Sequence, residues 1–272
     1  MKKIQLLILM FFILSFVSLS SQNKFESKKL FFETSGFYGF SGFAGKIPNG
    51  NISPQRDYGF SFRGSYFFSN IIGIGSGAGY NSYNSDGSLD KYLSNSLAVD
   101  VENESFEYRI NAEHVNEILT MKAIEIPLFI AIGKPLKDKA TLSGNLGVEL
   151  VLPINTSYQC TSGYIQTKGY YSAYNVEFSD MPNHGFETIN DANYSGELPS
   201  EISYDLFGDI KFIIPVGKIG LGFSLYGSYG FTPAIRLHNN ELMSYPQTYH
   251  SISSLCNNIY LVRTGAKLII VF

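Results

Sequence analysis

Four histidines offer the acid–base chemistry that a hydrolase needs: His114, His184, His238 and His250. Nucleophilic catalysis also requires a nucleophile and an orienting acid within reach of the base. None of the four lies in a recognisable catalytic motif, and no His/Cys spacing matches a zinc site. The sequence therefore predicts no enzyme, no metal and no cofactor. A loop-based hydrolase that uses His184 or His250 is kept as a further alternative.

A second set of ionisable groups lies at alternate positions of strand-like stretches. In EIPLFIAIG (125–133), Glu125 shares one face with Pro127 and Phe129, while Ile126 and Leu128 share the other. The same reading places charged residues on one face of several stretches. The nine predicted inner residues are Glu33, Arg63, Glu125, Glu149, Asp205, Asp209, Lys211, Arg263 and Lys267.

These nine residues predict a network of ion pairs. Buried charges are costly unless they are paired and hydrogen-bonded, so we expect the acids and bases to neutralise one another, with Glu125 near Arg263. A proton or ion path along the same charges is the alternative. Pro127 cannot donate a ladder hydrogen bond, which predicts a bulge or a lost bond at that position.

Eight period-two stretches must position these residues. They cover roughly 30–42, 56–68, 71–84, 117–132, 140–155, 201–214, 219–233 and 256–272. Their apolar faces form an outer band only if the sheet closes with its charged faces inward. An eight-stranded barrel is narrow enough for side chains to fill its lumen. The predicted fold is an all-β, eight-stranded antiparallel transmembrane barrel with long external loops.

The predicted connections alternate between short and long, as in outer-membrane barrels. The short ones are 69–70, 133–139 and 215–218, and the long ones are 43–55, 85–116, 156–200 and 234–253. Two long loops contain hairpin-like pairs, LAVDV/FEYRI around ENES and GYIQT/YYSAYNVEF around KG. If one pair enters the wall, the barrel has ten strands. Tyrosines in these loops are suited equally to packing and to binding.

The N-terminus predicts export. Lys2 and Lys3 precede an apolar run at 4–17, and Ser18 and Ser20 form a small-x-small cleavage pattern. We therefore expect a signal peptide at 1–20 and a barrel domain at 21–272, located in the cell outer membrane. Charged residues make up only 16%, the net charge is −3, and no basic cluster suggests nucleic acid.

Two cysteines, Cys160 and Cys256, reach an oxidising compartment if the chain is exported. The sequence leaves open whether they form a disulfide or remain free thiols, because it does not give their separation.

The last predicted strand, RTGAKLIIVF, carries an assembly pattern of a polar residue, a glycine and alternating apolar residues. Its members are Arg263, Gly265, Leu268, Ile270 and Phe272. The pattern resembles the terminal-strand signal by which the barrel assembly machinery recognises its clients. That machinery is therefore an expected partner during biogenesis.

The EIPL motif of the fourth strand, the short turn after it and the glycine-rich strands resemble the PorT-like outer-membrane barrel family of Bacteroidota-type bacteria. The resemblance covers residues 22–272, and the long 156–200 loop departs from it. It implies an integral outer-membrane protein, and the family's namesake is implicated in protein secretion and surface export.

Together these features predict a non-enzymatic outer-membrane barrel with a side-chain-filled, charged lumen. We expect a structural, binding or secretion-accessory role, exercised through the external loops. The expected partners are outer-membrane lipid and a protein or glycan at those loops, with no nucleic acid. A small channel or transport barrel is the alternative.

Overall fold

The computed structural model describes residues 29–135, 139–237 and 241–272. The predicted signal peptide lies outside the described residues. Among these residues, the regular structure is β except for two short 3-10 turns, Pro182–His184 and Ile252–Leu255. Within the same part of the chain, no helix is long and apolar enough to cross a membrane.

Eight antiparallel strands follow one another around a ring in chain order, and the last pairs with the first. The ring strands are β1 (Leu30–Ala44), β2 (Gly50–Phe67), β3 (Ile72–Val99), β4 (Ser105–Ile132), β5 (Thr141–Tyr171), β9 (Ser203–Val216), β10 (Ile219–Gly230) and β14 (Asn258–Val271). The long connections carry six short strands, β6 (Val176–Phe178), β7 (Thr188–Ile189), β8 (Ser195–Glu197), β11 (Ile235–Arg236), β12 (Met243–Ser244) and β13 (Thr248–Tyr249).

The ring closes because β14 pairs with β1 over twelve positions, from Glu33 opposite Val271 to Ala44 opposite Tyr260. Every ring strand therefore has a neighbour on both sides for at least part of its length. The predicted all-β, eight-stranded antiparallel barrel is confirmed. The ten-strand alternative is wrong for the described residues, because both predicted hairpins stand beyond the ring.

The connections at one end of the barrel, which we call the base, are short. They comprise residues 68–71, 133–140 and 217–218. The first residue of β1, Leu30, and the last residue of β14, Val271, also lie at this end. This matches the predicted short connections.

Three strands continue beyond the ring at the opposite, distal end. The pairing of β2 with β3 ends at Leu89, and the pairing of β9 with β5 ends at Val151. Above these points β3, β4 and β5 pair only with one another and with short strands. We call this part the distal sheet, and it comprises residues 90–99, 105–116 and 156–171.

Two predicted loops are therefore largely strand. Residues 50–55 belong to β2, and only 45–49 connect it to β1; similarly, only 100–104 connect β3 to β4. The predicted loops 43–55 and 85–116 are therefore wrong. Strand pairing continues through much of both segments, and their inward side chains, including Ile52, Leu89 and Phe106, are buried.

The two predicted hairpins differ in outcome. LAVDV and FEYRI form a hairpin, as predicted, but its turn lies at 100–104 rather than at ENES (102–105). The predicted turn at KG is wrong, because β5 runs through Lys168 and Gly169, and the turn follows at 172–175. The remaining two long connections, 172–202 and 231–257, fold back over the distal sheet.

Apolar side chains form two separate cores. The distal core lies between the distal sheet and the two long connections, and in it Phe106 stacks on Tyr171 at a ring separation of 5.1 Å. The base core is smaller and largely aromatic. Its members are Phe31, Phe37, Phe67, Phe129, Ala131, Phe207, Ile213, Tyr226, Ile269 and Val271.

Outside the ring, an exposed apolar belt surrounds the barrel. On β4 it consists of Ile124, Ile126, Leu128, Ile130 and Ile132. The other seven ring strands contribute to it in the same way, for example through Phe40, Phe60, Ile74, Leu146, Ile210, Leu225 and Leu268. The outward face of every ring strand is thus apolar over the same part of the barrel.

Two local features mark the contact between β3 and β4, an interrupted ladder and a close approach. The ladder between these strands is interrupted opposite Pro127, between Ser76 and Gly79, and resumes without a register shift. Of the two effects predicted for Pro127, a bulge or a lost ladder bond, the lost bond is present on this side. The Pro127 carbonyl accepts a hydrogen bond from Ser76 Oγ at 2.8 Å. A Cβ at Gly75 would lie 2.4 Å from the Phe129 ring, so glycine is required there.

Candidate functional site

The structure places all nine predicted inner charges inside the barrel, where each residue is at most 9% exposed. Seven of them form a continuous chain of ion pairs between the distal and base cores. From one end of this series of ion pairs to the other, the residues are Glu125, Arg263, Glu149, Arg63, Asp209, Lys211 and Glu33. They come from β4, β14, β5, β2, β9 and β1, so the chain links six of the eight ring strands.

Arg263 occupies the centre of this network. Its Nη1 donates to both oxygens of Glu125, at 2.5 and 2.7 Å, and its Nη2 donates to Glu149 Oε1 at 2.7 Å. Tyr83 donates to Glu125 at 2.7 Å, and Tyr226 donates to Glu149 at 2.9 Å. The predicted proximity of Glu125 and Arg263 is therefore present, as a two-pronged hydrogen-bonded pair.

Arg63 connects the centre of the network to its base end. Its Nη1 donates to Asp209 at 3.0 Å, and its Nη2 lies 3.7 Å from Glu149. Beyond Asp209, Lys211 pairs with Glu33. The guanidinium of Arg63 also lies 5.0 Å from the ring centroid of Phe207, so cation–π contact with the base core accompanies the ion pairs.

The remaining two predicted charges stand outside the chain of ion pairs. Lys267 Nζ lies 3.6 Å from the centroid of the Tyr226 ring, and Asp205 Oδ1 accepts a hydrogen bond from Ser203 at 3.4 Å. Among the described residues neither forms a salt bridge. The structure thus brings seven of the nine predicted residues into one network and places two beside it.

The lumen around this network is filled. The cavity at its base end, which Glu33 and Lys211 help to line, measures about 20 Å³, which is room for about one water molecule. The distal and base cores close the two ends. The arrangement is suited to holding charges in fixed pairs, and it offers no space in which a substrate could reach these carboxylates.

The three described histidines lie on β4 and on the two long connections. His114 and His184 are exposed, and His238 lies outside the described residues. His250 Nε2 lies 3.3 Å from Ser244 Oγ. None of the three described histidines forms an ion pair with a carboxylate that could orient it, and no cluster suited to a metal ion occurs among these residues.

His114 instead has a structural role that the sequence did not reveal. Its φ is +52°, and neither it nor Asp90 across from it on β3 is paired in the ladder. At this point the buried face of β4 changes from odd-numbered positions, such as Val115, to even-numbered ones, such as Ala112. A period-two count that crosses residue 114 therefore assigns the wrong face.

Beyond this change the polarity of the two faces is inverted. In the ring, β4 directs Glu125 inward and Ile126 outward. In the distal sheet its inner residues are Phe106, Tyr108, Ile110 and Ala112, and its outer residues are Glu107, Arg109, Asn111 and Glu113. The distal part is thus built like a water-soluble domain, with an apolar interior.

The connection 231–257 is fastened to β4 by a further buried carboxylate, Glu117, which the sequence reasoning missed. Glu117 accepts hydrogen bonds from Ser251 Oγ and from the Ile252 backbone N–H, the latter at 3.1 Å. Burial raises the pKa of Glu117 to about 7, and the two hydrogen bonds partly oppose this rise. Tyr158 beside it donates to the Tyr249 carbonyl of the same connection at 3.1 Å.

The two cysteines are both buried, and both are free thiols. Cys160 Sγ donates to the carbonyls of Ser162 and Ala192, at 3.5 and 3.4 Å, whereas Cys256 Sγ donates to the Asn258 carbonyl at 3.1 Å. The structure thus contains the free-thiol alternative and not the disulfide.

The predicted assembly pattern has a consistent geometry on β14. Leu268, Ile270 and Phe272 are exposed, and Arg263 points inward. Gly265 lies against β1, where a Cβ would approach the Tyr38 carbonyl oxygen to 2.5 Å. Recognition of this strand by the assembly machinery stays a prediction.

Comparisons with known proteins find similarity among solved structures only. No protein-family model matches the chain, and no curated protein matches it. Among solved structures, the chain is similar to the outer membrane protein OprG from Pseudomonas aeruginosa, at 10% identity and a TM-score of 0.35, covering 89% of this chain and 95% of that one.

Replacing Arg263 tests the central role of this residue. Arg263→Met leaves the buried carboxylates of Glu125 and Glu149 without their shared cation, and we expect a loss of about 3–5 kcal/mol in the free energy of unfolding. Urea titration of the refolded protein measures this loss. Arg109→Met is the matched control, because Arg109 also bridges two glutamates, Glu107 and Glu177, but is 39% exposed. Equal losses in the two variants would contradict the role assigned to burial.

The raised pKa of Glu117 predicts a pH-dependent attachment of the connection 231–257. Because the pKa of Glu117 is higher in the folded state than the ordinary 4.5, the protonated carboxyl group stabilises the attachment. This contribution is complete below pH 4.5 and is lost as the pH rises through about 7. The shift corresponds to roughly 3 kcal/mol. Hydrogen exchange of the amides at 251–256 should therefore be faster at pH 8 than at pH 5, after correction for intrinsic exchange. Glu117→Gln should abolish this difference, and an unchanged pH dependence in that variant would assign it to another group.

Proposed function

We propose that this chain is an integral outer-membrane barrel protein without enzymatic activity, which acts as a structural, binding or secretion-accessory component through its distal part. The observation that carries the proposal is the exposed apolar belt around a barrel whose interior holds paired charges. A water-soluble barrel has the opposite arrangement, with the apolar faces inside. Lipid is the surrounding in which this arrangement is stable.

The height of the belt supports a membrane location. On β4 the outward residues are apolar from Ile124 to Ile132, and the next outward residue toward the distal end is Lys122. Nine residues at about 3.3 Å each span roughly 30 Å along the strand, or about 20–25 Å along the normal at the usual tilt. This agrees with the apolar band of about 25 Å in outer-membrane barrels.

The two ends of the barrel differ in the way that outer-membrane barrels do. Short turns form the base, and the distal end carries the extended strands and the long connections, which supports a periplasmic base and an external distal part. The inverted polarity of the distal sheet supports its location outside the lipid, because an apolar core with a polar outer face is suited to water. The PorT-like resemblance favours a role in secretion or surface export as the more specific form of this proposal.

The filled lumen favours a closed barrel over the alternative of a channel. Two apolar cores enclose the ion-pair chain, and the cavity beside Glu33 and Lys211 holds about one water molecule. Purified protein in planar lipid bilayers should therefore show no steady conductance. A reproducible unitary current step, absent from a mock preparation, would contradict the closed lumen.

The membrane assignment is tested by an adjacent pair of substitutions on β4. Ile126→Arg places a charge in the lipid-facing belt, at a cost of about 2–4 kcal/mol, and should prevent insertion. Glu125→Gln changes the inner face and should permit insertion, although it weakens the pair with Arg263. Insertion is measured by resistance to alkaline carbonate extraction and by the shift in gel mobility on boiling. A wild-type protein that carbonate extracts, or the opposite order of the two variants, would overturn the proposal.

A further inference from the structure

The distal sheet has two edges, and strands of the described part of the chain cover only one of them. At the β5 edge, the connection 172–202 adds β8, β7 and β6 in succession, opposite positions 157–159, 165–166 and 169–171. At the β3 edge, the pairing with β2 ends at Leu89, and the backbone N–H of Asp90 donates to the Asn49 carbonyl at 2.8 Å. Among the described residues, no strand pairs with 91–99 on that side.

The open stretch has the properties of a strand that accepts another strand. Positions 91–99 are fully paired with β4, so the strand is already extended and held in place. Residues 92–99, YLSNSLAV, contain no charge, no proline and no glycine. Edge strands of soluble domains are normally blunted by charges, prolines or bulges, or are covered, because an open ladder pairs readily with other chains. Beyond Asp90 and Lys91, this edge has none of these devices.

The side chains of the open edge add apolar contact area. Leu93 and Leu97 point outward and are 66% and 88% exposed. On the other face, Tyr92 and Ala98 pack against the distal core, so the strand cannot rotate to hide the leucines. A strand added here would place its own alternate side chains beside Leu93 and Leu97, and such cross-strand apolar pairs stabilise a sheet.

The charges at the end of the strand indicate which partner fits. The turn beyond Val99 carries Asp100, Glu102 and Glu104, and no lysine or arginine among the described residues forms a salt bridge with them. A second antiparallel copy of β3 centred on Asn95 would bring Asp90 opposite Asp100. It would also have to be inverted relative to the first copy, which two barrels in one membrane cannot be. Both arguments favour a different polypeptide with basic residues at one end.

We propose that 91–99 of β3 is a docking edge for an extended segment of another protein, which adds as an antiparallel strand and places lysine or arginine beside the turn at 100–104. The proposal deepens the proposed binding role and rests on it. Backbone hydrogen bonds supply affinity that is independent of sequence, whereas Leu93, Leu97 and the acidic turn supply the preference for alternating apolar residues preceded by basic ones.

The test uses a synthetic peptide of two lysines followed by four Thr-Val repeats, with the detergent-folded protein. Fluorescence anisotropy should show saturable binding, and hydrogen exchange should show new protection at 91–99. The same peptide with every backbone nitrogen methylated should not bind, because it cannot donate ladder hydrogen bonds. A peptide with glutamates in place of the lysines should bind more weakly.

Two lysine substitutions provide the matched protein controls. Leu97→Lys removes the most exposed leucine of the edge and should weaken binding about fivefold or more. Gln159→Lys introduces the same charge at an exposed position of β5 that is paired on both sides, and it should leave binding unchanged. Equal affinity of the two variants, protection elsewhere than 91–99, or binding of the methylated peptide would overturn the proposal.

Two further outcomes separate this proposal from others. If the protein dimerises without peptide and 91–99 becomes protected from hydrogen exchange, a second copy of the chain occupies the edge. That result would overturn the partner proposed here. Because the peptide assay is carried out in detergent, it does not depend on cellular location. Failure of membrane insertion would refute the proposed function while leaving the peptide result intact, and an inserted protein that does not bind the peptide would refute the docking edge alone.

Discussion

The pairing of buried charges is the constraint on which the barrel depends. Once the outward faces are apolar, the polar faces must lie inside, where little water is present to solvate them. Arg263 satisfies two of the carboxylates at once, and Arg63 and Lys211 extend the pairing to Asp209 and Glu33. Since the network joins six strands, it also fixes their register. A slip of one residue in any of those strands would turn its charge toward the outside.

The inner charges were predictable because the period-two pattern is local to each strand. Parity alone was sufficient to put Glu125 inside and Ile126 outside. The identity of most ion-pair partners was not predictable, since residues such as Arg63 and Asp209 are 146 positions apart and meet only when the ring closes. Glu117 was missed for a related reason: its partners, Ser251 and Ile252, lie in a connection with no periodic pattern.

The extent of the strands was predicted least well, and the reason lies at His114. The φ of +52° at this residue shifts the buried positions of β4 from odd to even numbers, so the alternation is broken at the point where β4 leaves the ring. The polarity of the faces inverts there as well. A continuous strand of 28 residues therefore looks in sequence like a loop followed by a shorter strand. The tyrosines of the long loop 156–200 were ambiguous in sequence, and three of them, Tyr158, Tyr171 and Tyr194, pack in or against the distal core.

The ion-pair network and the proposed docking edge lie at different heights on β3, so a partner at the edge would not contact the network. Glu125 lies opposite Gly79 on this strand, whereas the open edge begins beyond Leu89. Ten residues of strand correspond to about 33 Å. A partner strand that pairs with 91–99 therefore contacts a rigid extension of the wall, far from the ion pairs. Under the proposed function, recognition at the edge requires no movement of the network, and the barrel with its exposed apolar belt is the proposed membrane anchor of that edge.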